Sequence, residues 1–505
     1  MIPFSEKLSF LMRIAETSNK ELAAELSVDP SMISLMRTGK RKLSKNPAQA
    51  RKMASFFARR CPAAFQRQAL SEMIGQVSIS PSMPIEALTS TLENWLKGED
   101  STLADTILTS IQTLPGQERV FSSSFPGPAS SSENQTLFFY GEKGRREVIA
   151  RSMQVLQDME SPGSILTVVD DNLEWLLSDY SLTKEIQNGF LELLERGFTF
   201  CQIMPPLNYI NRYTESLQFW LPIYATGQTK VYYYPRLRGN LYRHSMIIVP
   251  GQCVQFACSV GPGSTSDIIM FSTDPQLVSA FEKQFQEHLA LCRPSLNVHR
   301  NPEDFTTCFS EFFARQGDTV QLVSTLSLNS MPFDLMEQIS RKTRSIEWAE
   351  NFDVHTNDIP HFEERLRKGA YIDMCYLATA EEVRSGTVPV VAHSHTLPEY
   401  LFYTPETYCL HLKNILKLMD KYDTYTFLPL TAKECPNYNL FVNEGGLALI
   451  VRNVEPFLLM EIHRPTMVIA FREYLLRKAE AIGYEGIQRE KTRMALRSLI
   501  NELES

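Results

Sequence analysis

The sequence contains no run of eighteen apolar residues, so no membrane-spanning helix is expected from it. It is sparing with cysteine. Nine among 505 residues, an odd number without pairing rhythm, exclude a disulfide framework and suit reduced thiols in the cytoplasm. Cys253 and Cys258 lie five apart, which on a strand points them to opposite faces, and buried thiols are the expectation for all nine. No secretory leader is read at the start, because "MIPFSEKLSFLMRIAE" patterns as a charged amphipathic helix. "VGPGS" (Val260 to Ser264) lacks the Gly-Lys-Ser/Thr ending of a phosphate loop. "VAHSHT" sets His393 and His395 on one strand face, with Asp353, His355 and His361 nearby, but without zinc-site spacing. No cofactor and no metal site is therefore expected.

What is present is ordinary in bulk and uneven in distribution. Apolar residues make up 43% and charged residues 21%, and the length exceeds one core, so two to four domains are expected. Residues 1–60 hold 12 Lys/Arg against 5 Asp/Glu, a net of +7, while the whole chain is −8, which leaves −15 for the remainder. A basic head on an acidic body directs only the head toward a polyanion.

The head reads as short helices. Ser5 to Glu16 brings Leu8, Leu11, Met12 and Ala15 onto one face. Ser18 with Glu21 forms an S-x-x-E capping box for a second helix, whose apolar face is Leu22, Ala23 and Leu26. After a turn at Ser27-Val28, Asp29 fits the N-cap, Pro30 the first helical position and Gly39 the position past the end. Ile33 and Met36 would face the core, and Ser31, Ser34, Leu35 and Thr38 the other side, flanked by Met32 and Arg37. "GKRK" and Lys45 follow, placing charge where phosphates would pass.

"SNKELAAELSV" and "PSMISLMRTGKR" resemble the helix-turn-helix of the Cro/phage-repressor (XRE) family, over about residues 5–60. The resemblance implies an all-α DNA-binding domain whose last helices lie in "NPAQARKMASFFARR". It makes Asn19, Ser31, Ser34 and Leu35 the base or groove contacts, with Thr38 beside them. Lys20, Arg37, Lys40, Arg41 and Lys42 would hold the phosphate backbone. The chain departs from the family's pattern at Ser27, where Gly is usual, at Pro30 and at Leu35. A left-handed Ser27 would cost about 1 kcal/mol.

Beyond the head, "MPIEALTSTLENWLKGED" and "STLADTILTSIQTL" pattern as amphipathic helices with a stripe of Leu88, Leu92 and Trp95, suited to packing or to dimerisation. "FSSSFPGPASSSENQ", residues 121–135, has linker composition.

The body repeats itself. "MFSTDPQLVSAF" from Met270 matches "MEIHRPTMVIAF" from Met460 at an offset of 190. "KVYYYP" from Lys230 matches "TYTFLP" from Thr424, and "SMIIVPGQCVQFAC" from Ser245 matches "NLFVNEGGLALIVR" from Asn439, both at 194. "LLERGFTFCQIM" from Leu193 matches "RLRKGAYIDMCY" from Arg365 at 172. Apolar runs alternate with helical patterns in each copy, so a duplicated α/β body is expected, its halves packing about a pseudo-two-fold axis with a cleft between them. Trp220, Tyr224, Tyr232, Tyr233 and Tyr234 are pocket or core aromatics.

This layout is similar to the phospholipase D-like superfamily, whose halves each carry His-x-Lys-x4-Asp. In "RHSMIIVPG" only His244 fits, with Met246 and Gly251 where Lys and Asp belong; the second copy has Tyr438, Leu440 and Gly445. Phosphoryl transfer needs the histidine nucleophile and cationic clamps. The resemblance therefore implies a non-catalytic body in which His244 and Tyr438 mark a ligand-binding position.

The multidomain layout expected is a helix-turn-helix domain over 1–62, a helical connector over 63–120 and the linker over 121–135. The α/β copies follow over 136–295 and 296–480, with a C-terminal helix over 481–505 suited to docking or dimerisation. The function expected is a cytoplasmic, sequence-specific transcriptional regulator, not an enzyme, binding double-stranded DNA as a homodimer and sensing a small-molecule or protein effector. The alternatives are an enzyme acting on a phosphate ester or nucleotide through the body, and a protein-interaction scaffold with a helix-turn-helix head.

Overall fold

The computed structural model describes residues 4–15, 17–38, 41, 47–62, 66–67, 70, 83–97, 103–114, 135–169, 176, 179–204, 219–235, 242–260, 268–342, 362–390, 402–482 and 487–505. The linker expected at 121–135 falls almost wholly outside these residues, as do His355, His361, His393, His395 and Asp353. The protein is mixed α/β and falls into two compact units, one built from residues 1–106, the other from 107–206 and 216–505.

Among the described residues the first unit is helical: α1 (Phe4–Ile14), α2 (Asn19–Leu26), α3 (Pro30–Arg37), α4 (Pro47–Arg60) and α5 (Ile85–Lys97). One core holds Leu8 and Leu11 of α1, Leu22 of α2, Ile33 and Met36 of α3, and Met53 and Phe57 of α4. Leu88, Leu92 and Trp95 of α5 belong to that same core, so the apolar stripe is used inside the unit and is not a free face. Lys7 is buried over the Trp95 ring, its ammonium donating to the Trp95 carbonyl.

The second unit is built on one fourteen-stranded sheet. In chain order its first half comprises β1 (Thr136–Tyr140), α7 (Gly141–Asp158), β2 (Ser164–Val169), α8 (Tyr180–Glu195), β3 (Thr199–Met204), β4 (Thr229–Tyr233), β5 (Tyr242–Val249), β6 (Cys253–Val260), β7 (Ile268–Ser272) and α9 (Pro275–Leu289); α6 (Leu103–Gln112) precedes them. The second comprises β8 (Arg293–His299), α10 (Pro302–Ala314), β9 (Thr319–Val323), α11 (Phe333–Lys342), β10 (Tyr371–Tyr376), α12 (Ala380–Arg384), α13 (Pro405–Lys421), β11 (Tyr425–Leu430), β12 (Tyr438–Asn443), β13 (Leu447–Arg452), β14 (Leu458–Ile462), α14 (Pro465–Ile482) and α15 (Ile487–Glu504).

Across the sheet the order is β1-β7-β6-β5-β2-β3-β4, then β8-β14-β13-β12-β9-β10-β11: one seven-strand pattern, twice. β8 opens the second set and spans the boundary expected at 295/296. With Ile247 of β5 equivalent to Phe441 of β12, the ladders pair Gln255 with Leu449, again 194 apart, and Phe271 with Glu461, 190 apart. These are the offsets of the matching sequence segments. In the parallel strands the ladders correct the sequence match. Gln202 answers Asp373, at 171 and not 172, and Val231 answers Phe427, at 196 and not 194. Apolar runs with both faces buried hold no alternation to fix their register.

The halves do not face each other across a cleft. They join edge to edge through β4 and β8, which pair antiparallel with Val231 opposite Leu296. The parallel triplet β9-β10-β11 therefore runs opposite to β2-β3-β4. Keeping the left-to-right order while inverting strand direction is a two-fold screw along the sheet, and it exchanges the two faces of the second half.

Candidate functional site

The connection from α2 to α3 is specified locally. Ser18 caps α2: its hydroxyl accepts from the Glu21 N–H, and the Glu21 carboxylate accepts from the Ser18 N–H at 2.9 Å. Those bonds, with Arg60, hold the Glu21 carboxyl below the usual range. The helix ends at Ser27, at φ 53° and ψ 46°, the one non-glycine residue of positive φ among those described. The Val28 N–H reaches back to the Ala23 carbonyl at 3.0 Å and the Ser27 N–H to Ala24 at 3.2 Å, closing the helix in a Schellman turn. Asp29 then caps α3 by accepting from the Ser31 N–H at 2.8 Å, with Pro30 at the first position.

Ile33 and Met36 are buried, while Ser31, Ser34, Leu35, Arg37 and Thr38 are exposed. Leu35 is 40% exposed, an apolar side chain held outward amid small polar ones. Thr38 turns its hydroxyl back onto the Ser34 carbonyl at 3.0 Å. Arg37 donates to the Asn19 side chain at 2.9 Å, so two residues expected to meet different parts of DNA are joined to each other. Lys20 is exposed at the start of α2 and Arg41 beyond α3; Lys40 and Lys42 lie outside the described residues.

Charge is sorted around this face. Glu21 and Glu25 of α2 pair with Arg60 and Arg59 at the end of α4, at 3.1 and 2.7 Å. The acidic side of α2 is thereby neutralised away from α3. Lys20 and Arg41 have no ion pair among the described residues, so their charge faces solvent.

In the body the structure separates the two expected ligand-binding residues. β5 and β12 are seven strand spacings apart in the sheet, about 34 Å along it. His244 stacks on Phe256 at 6.2 Å, on the face that carries Met246, Ile248 and the apolar cluster under α9. Tyr438 is buried, its hydroxyl 3.1 Å from that of Tyr474 on α14. They occupy equivalent places and form no common site.

A cavity of about 70 Å³ lies instead on the opposite face of the first half, beneath α7 and α8. Its walls include Trp220 and Phe190, stacked 6.2 Å apart, and its polar lining is Arg145, Thr167, Ser245 and Gln255. Gln255 accepts from Ser152 at 3.2 Å, and the buried Thr167 hydroxyl has no hydrogen-bond partner. Arg145 and Gln255, both buried, escaped sequence reading because α7 and β6 are a hundred residues apart.

The second half holds a buried polar network on β9, β10 and β11, in which Gln321 corresponds to Thr167 of the cavity wall and Asp373 to Gln202. Asp373, fully buried, accepts from Gln321 at 2.7 Å, Tyr425 at 2.9 Å and Cys375 at 3.0 Å, and burial raises its pKa. Tyr371 donates to Gln321 at 2.7 Å. Beside them His411 lies between Tyr403 and Ser330, at 2.8 and 3.0 Å, and burial lowers it to about 3.

No known family profile matches the sequence, and no curated protein matches it. Among solved structures, TrmBL2, an archaeal chromatin protein described with a novel mode of DNA binding, aligns with TM-score 0.23 and 15% identity, over 32% of this chain and 55% of its own. The present chain thus spans about half the length of that protein. Nuc of Salmonella typhimurium, a phospholipase D family member, aligns with TM-score 0.23 and 12% identity, over 32% of this chain and 98% of its own. Polyphosphate kinase of Porphyromonas gingivalis aligns with TM-score 0.22 and 9% identity, over 65% of this chain and 47% of its own. Among the described residues no helix is long and apolar enough to cross a membrane. The neighbours of this α/β chain thus include a DNA-binding chromatin protein and phospholipase D family members, at low similarity over a third of its length.

Proposed function

We propose that α2 and α3 form a helix-turn-helix that reads double-stranded DNA in the major groove, as the head of a transcriptional regulator of the Cro/phage-repressor kind. The observation that carries this is α3 itself. It is capped at its start, anchored by Ile33 and Met36, and presents Ser31, Ser34, Leu35 and Thr38 outward. Serine and threonine hydroxyls donate to or accept from base edges, and an exposed leucine meets a thymine methyl. Lys20 and Arg41 would neutralise phosphates on either side, while the Arg37–Asn19 bond holds α3 against α2. A homodimer would place two such helices on successive half-sites.

The acidic body would bind an effector and not DNA. The cavity beneath α7 is where we place that effector, because a buried arginine, an unpartnered hydroxyl and an amide converge on it. With Met246 and Gly251, then Leu440 and Gly445, in place of cations and acids, the body would carry no phosphoryl-transfer chemistry.

Selection of genomic fragments by the full-length protein, beside a Lys20→Ala, Arg41→Ala double variant, tests the reading. The wild type should enrich a short repeated motif that the variant loses. On an enriched site each lost phosphate contact should lower the salt slope by about 1. No enrichment, or equal enrichment by both proteins, would refute it.

A further inference from the structure

His299 at the end of β8, Cys308 on α10 and Glu461 on β14 bring an imidazole nitrogen, a sulfur and a carboxylate oxygen within 4.8 Å of one another. We propose that these three side chains bind a divalent transition-metal ion of the zinc class, a site separate from the DNA-reading face and independent of that reading.

Donor spacing is the first reason. Ligands of a tetrahedral zinc ion, at bonds of about 2.0–2.3 Å, stand about 3.3–3.8 Å apart. His299 Nε2 and Glu461 Oε2 are 3.5 Å apart. That is long for a charge-assisted hydrogen bond, which closes to about 2.7–2.9 Å, and right for two donors to one ion.

The surroundings are the second. The other nitrogen of His299, Nδ1, faces the carboxylate of Asp304 at the start of α10, 3.7 Å away and beyond hydrogen-bond distance. Glu461 is 5% exposed and is steadied on the same oxygen by Asn297 and His463, each at 3.2 Å. Cys308 is likewise buried. On binding, the Cys308 proton goes to solvent, and thiolate and carboxylate together balance the two positive charges of the ion.

The third is asymmetry between the halves. Phe271 stands in the first half where Glu461 stands in the second, and Leu137 where Asn297 stands. The donors are thus not demanded by the shared architecture. The set ties α10 to β8 and β14, next to the β4–β8 joint.

Titration of the chelator-stripped full-length protein with Co(II) tests the site. One equivalent should bind, with the visible bands of a tetrahedral ion and a thiolate-to-cobalt charge-transfer band, both bleached by Zn(II). Cys308→Ser should lose the charge-transfer band, and Cys253→Ser should behave as wild type. Should Cys308→Ser fail to fold, X-ray absorption of the zinc-loaded wild type must show one sulfur among nitrogen and oxygen donors. Absence of stoichiometric binding, a charge-transfer band that survives in folded Cys308→Ser, or a zinc shell with no sulfur or with several would each overturn the proposal.

Discussion

Lowering the pH from 8 to 5 should destabilise the α/β body through His411. The imidazole is fully buried on α13, with both nitrogens in hydrogen bonds, and burial depresses its pKa from 6.5 to about 3. A depressed histidine contributes stability that is intact above its unfolded pKa and is lost as pH falls toward the folded one. Between about 6.5 and 3 only the unfolded chain takes up the proton, so stability falls by up to about 1.4 kcal/mol per pH unit. At pH 5 the deficit from this one group is about 2 kcal/mol. Urea midpoints of the full-length protein, followed by circular dichroism between pH 8 and 5, read the effect. His411→Gln, which does not titrate, should remove that part of the slope whatever its constant cost. Parallel pH profiles for wild type and variant would refute the reasoning.

Asp373 predicts the opposite trend, because burial raises its pKa. Its contribution is present at low pH and is lost as pH rises through the folded value. Asp373→Asn should therefore gain on wild type between pH 4 and pH 8 in the same urea series, and a flat difference would show the carboxylate to be compensated. Ser27→Gly should raise the melting temperature of the helical unit. It relieves about 1 kcal/mol of left-handed strain against about 0.5 kcal/mol or more of extra chain entropy, and a clearly lower melting temperature would contradict the φ of 53°. Leu92→Ala, in the core beside Trp95, should cost about 2–5 kcal/mol. A loss under 1 kcal/mol on thermal unfolding would mean that α5 is not integral to that core.

The helical unit was legible because its signals are local. Ser18 with Glu21, and Asp29 with Pro30, lie within one turn of the ends they cap, and the turn strained at Ser27 follows from the spacing between them. The body was legible as a repeat but not as a topology. Strands with both faces buried, such as "LALIVR" and "TVQLV", name no partner, so edge-to-edge joining through β4 and β8 could not be read from them. The slips of one and two residues in the parallel strands have the same origin. Sites assembled from distant segments were the least legible. Glu461 and His463 stand in "MEIHRP", more than 150 residues from His299 and Cys308, and only folding brings Glu461 beside them. Arg37 and Asn19 were each assigned to DNA, and no rule of spacing shows that they bond to each other across the turn.

The joint between the halves has a consequence for self-association. β4 pairs with β8, and their counterparts in the repeat are β11 and β1, the two outer edges of the sheet. The same screw step applied once more would lay the β1 edge of another chain against β11, and nothing in the operation closes it into a ring. Such head-to-tail joints grow fibres unless an end is blocked. Over β11 lies α15, with Leu496, Ile500 and Leu503 sunk into the adjoining core and Arg489 donating to the carbonyls of Asp423 and Tyr425 at 3.1 Å. Arg489 thus takes up a carbonyl of the strand to which a third repeat would be added, and unpaired edge groups are what such an addition needs.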